Sequence, residues 1–220
     1  MAAKGERRAW LEIVKPKDLD SHMKNVGQAE ANATLVRDML EAYQLDPYSG
    51  LLVHGCGTCQ MFDYLKPEDL GDMEAIKLTF ADFSPRILRA AQKRLKKLKF
   101  RYQLIQDDLE NSQLREVYEN ALLVLVLQHI DWRKGLENLD KLGVSRFYII
   151  EQEQTPGTYP ITTSRKLPKS MREYAESAEL SLVSLEELDA YMRSRRFELS
   201  YKNSIQVPDN KSMVSLVYSR

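Results

Sequence analysis

Long apolar runs are missing from this chain. The longest, residues 121–127, falls well short of the ~20 residues that a membrane-spanning helix requires, so no membrane segment is expected. Residues 1–8 are charged and have no apolar stretch behind them, which excludes a secretory signal reading. Cysteine is scarce, with two residues in a chain of 220, too few for a disulfide framework. That scarcity points to a reducing, cytoplasmic setting. Histidine is scarce too: His22, His54 and His129 are the three present, with no metal-ligand spacing and no second cysteine pair. No metal is expected. Net charge is absent, because 32 basic side chains balance 32 acidic ones. No whole-molecule field therefore draws the protein to nucleic acid or to an anionic membrane. Repeats and low-complexity tracts are lacking as well.

What remains is a pattern of alternation. Residues 21–43 carry apolar side chains at threes and fours, interrupted at Gly27, which reads as two jointed helices. Strand-like runs follow at 51–54, 76–80, 100–106, 121–127 and 146–150. Helical stretches separate them: one opens after the turn at Gly55 and Gly57, one covers 86–97, a short helix or turn covers 114–118, and one covers 131–142, closing at Gly143. Pro67 to Asp72 reads as a loop. Ser84 followed by Pro85 is a cap and first helical position in sequence. Residues 155–183 are irregular, and Ser184 with Glu187 opens a final helix to about residue 195. Strands at 197–207 and 213–218, joined by Pro208-Asp209-Asn210-Lys211, form a closing hairpin. Alternation of this kind implies an α/β fold, a doubly wound, mostly parallel sheet between helices. The organisation expected is an N-terminal helical segment over 1–45 and one domain over 46–220, with 155–183 as a substrate lid.

In such sheets ligands lie at the carboxyl ends of the strands. Those ends carry His54-Gly55-Cys56-Gly57, Asp82-Phe83-Ser84, Asp107-Asp108-Leu109, Gln128-His129 and Glu151-Gln152. A carboxylate after the second strand can accept from both hydroxyls of a ribose. One after the third can accept from an adenine amino group.

At these residues the chain resembles the class I S-adenosylmethionine-dependent methyltransferases. Leu52-Val53-His54-Gly55-Cys56-Gly57-Thr58 is similar to the family's glycine-rich first motif. Ala81-Asp82-Phe83-Ser84-Pro85 is similar to the second and Gln106-Asp107-Asp108-Leu109 to the third, with the register favouring Asp108. Val124-Leu125-Val126-Leu127-Gln128-His129-Ile130 is similar to the fourth strand and the turn facing the methyl donor. The resemblance implies a Rossmann-like seven-stranded sheet with an antiparallel last strand. It implies S-adenosylmethionine (SAM) as cofactor, and a methyl transferase acting on a small-molecule acceptor. The cofactor residues implied are Gly55, Cys56, Gly57, Asp82, Phe83, Ser84, Asp108, Leu109, Leu125 and Gln128, together with His54. Met23, Gly27 and Gln28 would form the other wall. Two letters depart from the pattern. Val53 stands where the family usually has an acid, removing a support for the methionine amino group. Cys59 replaces a third glycine and is expected to narrow the turn.

Competing readings attach to particular residues. His129 beside Asp131 is either a general base or a helix-start histidine bonded to the backbone. His54 either touches ligand or is a buried neutral ring. Cys56-Gly57-Thr58-Cys59 is a C-x-x-C and could be a redox dithiol. The run Arg86, Arg89, Lys93, Arg94, Lys96, Lys97, Lys99 and Arg101 could track RNA phosphates or be a solvated helix face. Arg165, Lys166, Lys169 and Arg172 would suit an anionic substrate, and Tyr159 and Tyr174 an aromatic pocket. The altered first motif leaves room for a protein that binds SAM without transferring a methyl group.

Overall fold

Strand β1 (Gly50–His54) is buried at every position and pairs in parallel on both sides. That explains why it reads as a short apolar run with no alternation. In the computed structural model, which describes residues 8–71, 75–98, 100–154, 160–163, 165–177 and 182–220, it lies within a seven-stranded sheet. The others are β2 (Lys77–Asp82), β3 (Gln103–Gln106), β4 (Asn120–Val124), β5 (Arg146–Gln154), β6 (Glu198–Val207) and β7 (Lys211–Ser219). Their order is β3-β2-β1-β4-β5-β7-β6. β7 runs antiparallel to both β5 and β6, so the expected sheet, mostly parallel with an antiparallel last strand, is the one observed.

Helices α1 (Pro16–Asn25) and α2 (Gln28–Ala42) meet at Gly27, whose φ of 72° lets the chain turn at the joint. Helix α3 (Pro85–Leu95) begins as its sequence predicts: the Ser84 hydroxyl accepts from the Ile87 N–H. Helices α4 (Trp132–Lys141) and α6 (Leu185–Ser194) are capped in the same way by Asp131 and Ser184. One apolar core joins α2 and α3 to one sheet face through Val36, Leu51, Phe80, Ala91 and Ile150. A second joins α4 and α6 to the other through Leu52, Leu123, Leu136, Ile149 and Leu188. Among the described residues no helix is long and apolar enough to cross a membrane.

Several boundaries differ from expectation. The segment after the glycine turn is a four-residue 3-10 turn, Gln60–Asp63, not an α-helix. Cys59 before it is left-handed and Pro67 soon after forces extension, so no room for a longer helix remains. The expected Pro67 loop is a second such turn, Pro67–Leu70. Residues 114–118 form no helix, because Tyr118 is drawn fully into the core and Glu116 out to Lys77. β5 continues through Glu151 to Gln154 despite its polar letters, because β7 pairs with it as far as Gln154 and Lys211. The irregular 155–183 segment contains helix α5 (Lys169–Ser177), while its residues 155–159, 164 and 178–181, Tyr159 among them, lie outside the described residues, as does Lys99.

Two segments distant in sequence form a roof. Ala9 and Val14 pack with Ile161, Met171 and Tyr174 in a third apolar cluster, with Trp10 and Leu19 against it. Ser170 ties the halves together, donating through its hydroxyl to Asp18 at 2.8 Å and accepting from the Lys15 N–H.

Arg94 fastens the N-terminal helices to the sheet. From α3 its guanidinium reaches Asp20 on α1 (2.8 Å), Asp63 (2.9 Å) and the Thr58 carbonyl (2.6 Å). Asp20 also accepts from the Thr58 hydroxyl. Arg86 donates to the Leu11 carbonyl. The basic run is therefore divided: Arg86 and Arg94 are structural, whereas Arg89, Lys93, Lys96 and Lys97 are exposed. Removing a half-buried guanidinium strands the groups that it neutralises. Arg94→Ala should lower the unfolding free energy by about 2 kcal/mol, measured by urea denaturation. A change within ~0.5 kcal/mol, the scatter of an ordinary surface substitution, would refute the clasp.

Glu151 is fully buried in β5 beneath the loop after β4, where its carboxylate accepts from the Leu127 N–H at 3.3 Å. Its other oxygen has no partner among the described residues. Burial drives this carboxyl up to about 8 from the usual 4.5, against the Leu127 N–H. The folded protein thus keeps a proton that the unfolded chain has lost. Its contribution is full below about 4.5 and fades as pH rises towards about 8, by at most ~1.4 kcal/mol per unit. Glu151→Gln keeps an acceptor for Leu127 and cannot ionise. Its melting temperature should gain on the wild type progressively as pH rises across that window, and parallel curves would contradict the assignment.

Candidate active site

The carboxyl ends of β1, β2, β3 and β4 open into one cavity of about 230 Å³, roofed by the third apolar cluster. Its floor is the loop after β1. Gly55 has φ 66°, and a Cβ there would lie 2.4 Å from a Val126 methyl, so the loop after β4 packs directly on this backbone. Gly57 has φ 55° and open space where a Cβ would be. Cys59 occupies the left-handed conformation usually left to glycine, φ 56°, so it keeps the turn a glycine would make.

Three N–H groups of this loop are engaged within the protein. Cys56 N–H is taken by the Ala81 carbonyl, Cys59 N–H by the Cys56 carbonyl, and Gly57 N–H by the Asp82 carboxylate at 3.0 Å. The expectation of a helix start after this turn is corrected here: the segment is a 3-10 turn, and these three N–H groups are spent on the protein itself. That suits a ligand recognised through hydroxyl and amino groups.

Asp82 ends β2 with 3 % exposure and accepts from Gly57 N–H with one oxygen and Ser84 N–H with the other. Burial raises its pKa, opposed by these two donors. Each oxygen retains acceptor capacity. Asp108 lines the cavity, and its carboxylate also caps the Leu109–Asn111 turn through Glu110 N–H. Its neighbour Asp107 turns to His54, whose Nε2 lies 2.9 Å from the carboxylate, and accepts also from Gln113 N–H. Burial would lift Asp107, but His54 and Gln113 outweigh it and hold it below the ordinary carboxylate range. His54 is thus a buried ring on a carboxylate as well as part of the cavity wall.

Phe83, Leu109, Leu125, Gln128, Gln28 and Met23 also line the cavity. Leu125 is held left-handed, φ 56°, and donates its N–H to Ile150. Two expected residues do not line it. Gly27 is exposed at the joint, in a shallow outer depression, and Ser84 is spent on capping α3. His129 follows in a 3-10 turn, half-buried, with Tyr174 Oη 3.2 Å from Nδ1 and the Gln128 side-chain amide 3.3 Å from Nε2. The two ring nitrogens of His129 thus face a hydroxyl and a side-chain amide. Trp10 stacks against the same ring with centroids 5.1 Å apart.

His22, on α1, was missed in the sequence. It is 4 % exposed and lines the cavity, and burial together with Lys211 pushes it down to about 4. Lys211, fully buried, is drawn down to about 8 by burial and donates to the Pro160 carbonyl and the Thr162 hydroxyl. Trp10 and Ile161 were likewise unforeseen, because nothing local in the sequence brings residue 10 to residue 161.

The remaining alternatives fare differently. The Cys56 thiol is raised well above the ordinary range by its hydrogen bond with the free Cys59 thiol and by burial, the opposite of a redox-active thiolate. Among the described residues no group of histidine, cysteine or carboxylate side chains could hold a metal. Arg165, Lys166, Lys169 and Arg172 are exposed and none lines the cavity.

Comparison with known proteins agrees with this arrangement. A family model described as a methyltransferase domain matches residues 52–143. No curated protein matches the sequence. The magnesium protoporphyrin IX methyltransferase of Synechocystis PCC 6803, solved with bound SAH, superposes with a TM-score of 0.64 at 15 % identity, covering 89 % of this chain and 84 % of that one. The plantazolicin methyltransferase BpumL, also with SAH, gives 0.65 at 18 %, covering 99 % and 95 %. The [4+2]-cyclase SpnF gives 0.62 at 13 %, covering 86 % and 81 %. Residues 52–143 thus match a methyltransferase domain model, and the whole chain shares its fold with these S-adenosylmethionine-dependent methyltransferases.

Proposed function

We propose that this protein is a SAM-dependent methyltransferase acting on a small-molecule acceptor, in a cytoplasmic setting. The observation that carries the reading is convergence: Asp82, the Gly55–Gly57 floor, Asp108 and His129 border one cavity at the ends of successive strands. SAM supplies an electrophilic methyl group on a sulfonium, which carries much of the activation. The chain's own residues bind, orient and exclude water. Asp82 accepts from the ribose diol, its geometry fixed by Gly57 and Ser84 N–H groups. Asp108 accepts from the adenine amino group and Leu109 packs on the base. Leu125 and Gln128 flank the donor end, and the roof over 8–25 and 160–177 keeps solvent out. His129 Nε2 is the atom positioned to take a proton from the acceptor. Val53, apolar and buried in the wall, gives no charge to the methionine ammonium.

Calorimetric titration with SAM and its demethylated product SAH tests this. The wild type should bind both, and absence of binding would end the proposal. Asp82→Ala and the milder Asp82→Asn should each weaken binding by at least tenfold, about 1.4 kcal/mol. Unchanged affinity in both would refute the ribose role while leaving the cofactor in place. Binding without any transfer across a broad acceptor screen, read by mass spectrometry, would favour a protein that only binds SAM.

A further inference from the structure

Part of the cavity wall is carbon. Trp10, Leu19, Met23, Ile161, Met171 and Tyr174 border it. Trp10 meets His129 with centroids 5.1 Å apart and Tyr174 edge-on at 5.6 Å, so three ring systems bound the space beside His129 Nε2. Charge is distributed just as unevenly. Among the described residues lining the cavity there are four aspartates, Asp20, Asp82, Asp107 and Asp108, and no lysine or arginine. The basic residues of the 155–183 segment point to solvent. Lys211, the buried cation nearest this end, is bonded to the Pro160 carbonyl and Thr162 hydroxyl and does not line the cavity. A carboxylate or phosphate entering here would lose its hydration and meet no compensating cation. A flat apolar ring would meet aromatic faces and thioethers at favourable contact.

Resting on the methyltransferase reading, we propose that the acceptor is an uncharged, phenol-type aromatic whose ring lies beneath Trp10, Met171 and Tyr174 and whose hydroxyl donates to His129 Nε2. In the transfer the acceptor oxygen forms a bond to the methyl carbon as the carbon–sulfur bond of SAM breaks. The sulfonium leaves as a neutral thioether. The hydroxyl proton passes to His129 Nε2, in place of the Gln128 amide that approaches that atom now. The products are a methyl aryl ether and SAH, and the released proton reaches solvent from His129.

The test uses 2-naphthol and 2-naphthoate, which share a ring and differ in charge. Each is titrated by calorimetry into the full-length protein saturated with SAH. 2-Naphthol should bind at least tenfold tighter than 2-naphthoate. His129→Leu should reduce 2-naphthol affinity about tenfold while leaving SAH affinity unchanged. With SAM, a product heavier by one methyl group should appear from 2-naphthol. Equal or tighter binding of 2-naphthoate would overturn the proposal, as would retention of full 2-naphthol affinity in His129→Leu. If SAH binds and neither probe does, the acceptor class is wrong and the cofactor reading stands. If SAH itself does not bind, both fall together.

Discussion

The guanidinium of Arg94 bonds three segments around the cavity to one another. It stands on the first helix to follow β2, yet its contacts are with α1, with the loop after β1 and with the turn beyond. The Thr58 carbonyl that it fixes lies one residue from Gly57. The Asp20 carboxylate that it pairs with belongs to the wall opposite the sheet. One planar fork thus sets the height of the cavity, because floor and wall are bonded to the same group. A lysine there would supply charge without the fork. Its surroundings, half-buried and rich in carboxylate, hold it firmly ionised.

The floor is organised by a similar economy. Asp82 fixes Gly57 and Ser84 with its two oxygens while keeping acceptor capacity in the cavity wall. Beside it Asp107, also in the cavity wall, bonds to His54 and to Gln113 N–H, while Asp108 caps the Leu109–Asn111 turn. Two adjacent aspartates therefore do unlike work, and the difference arises from which strand end each one faces.

Much of the framework was legible in the letters. The five apolar runs, the Ser84-Pro85 helix start, the joint at Gly27 and the hairpin all follow from local chemistry, and all are present. The acids that line the cavity at Asp82, Asp107 and Asp108 were legible because they stand at or just beyond strand ends. What escaped reading depends on contacts between distant segments. β5 looks finished at Ile150 because Glu151 and Gln152 are polar, and only β7 reveals that the ladder continues. The turn after Thr58 looks like a helix until Cys59 is found left-handed. The division of the basic run was invisible, since Arg94 and Lys93 are neighbours in sequence and differ only in the side of α3 they occupy. Trp10 and His22 came to the cavity through packing that no motif records.

The roof has a consequence of its own. Its five buried residues form an apolar cluster separate from the two that sandwich the sheet. Regions built on few buried contacts open at a lower free energy than the core around them. The packing of residues 9–19 on α5 therefore rests on few buried side chains, and polar contacts supplement it: Asp18 to Ser170, Arg86 to Leu11 and Arg94 to Asp20.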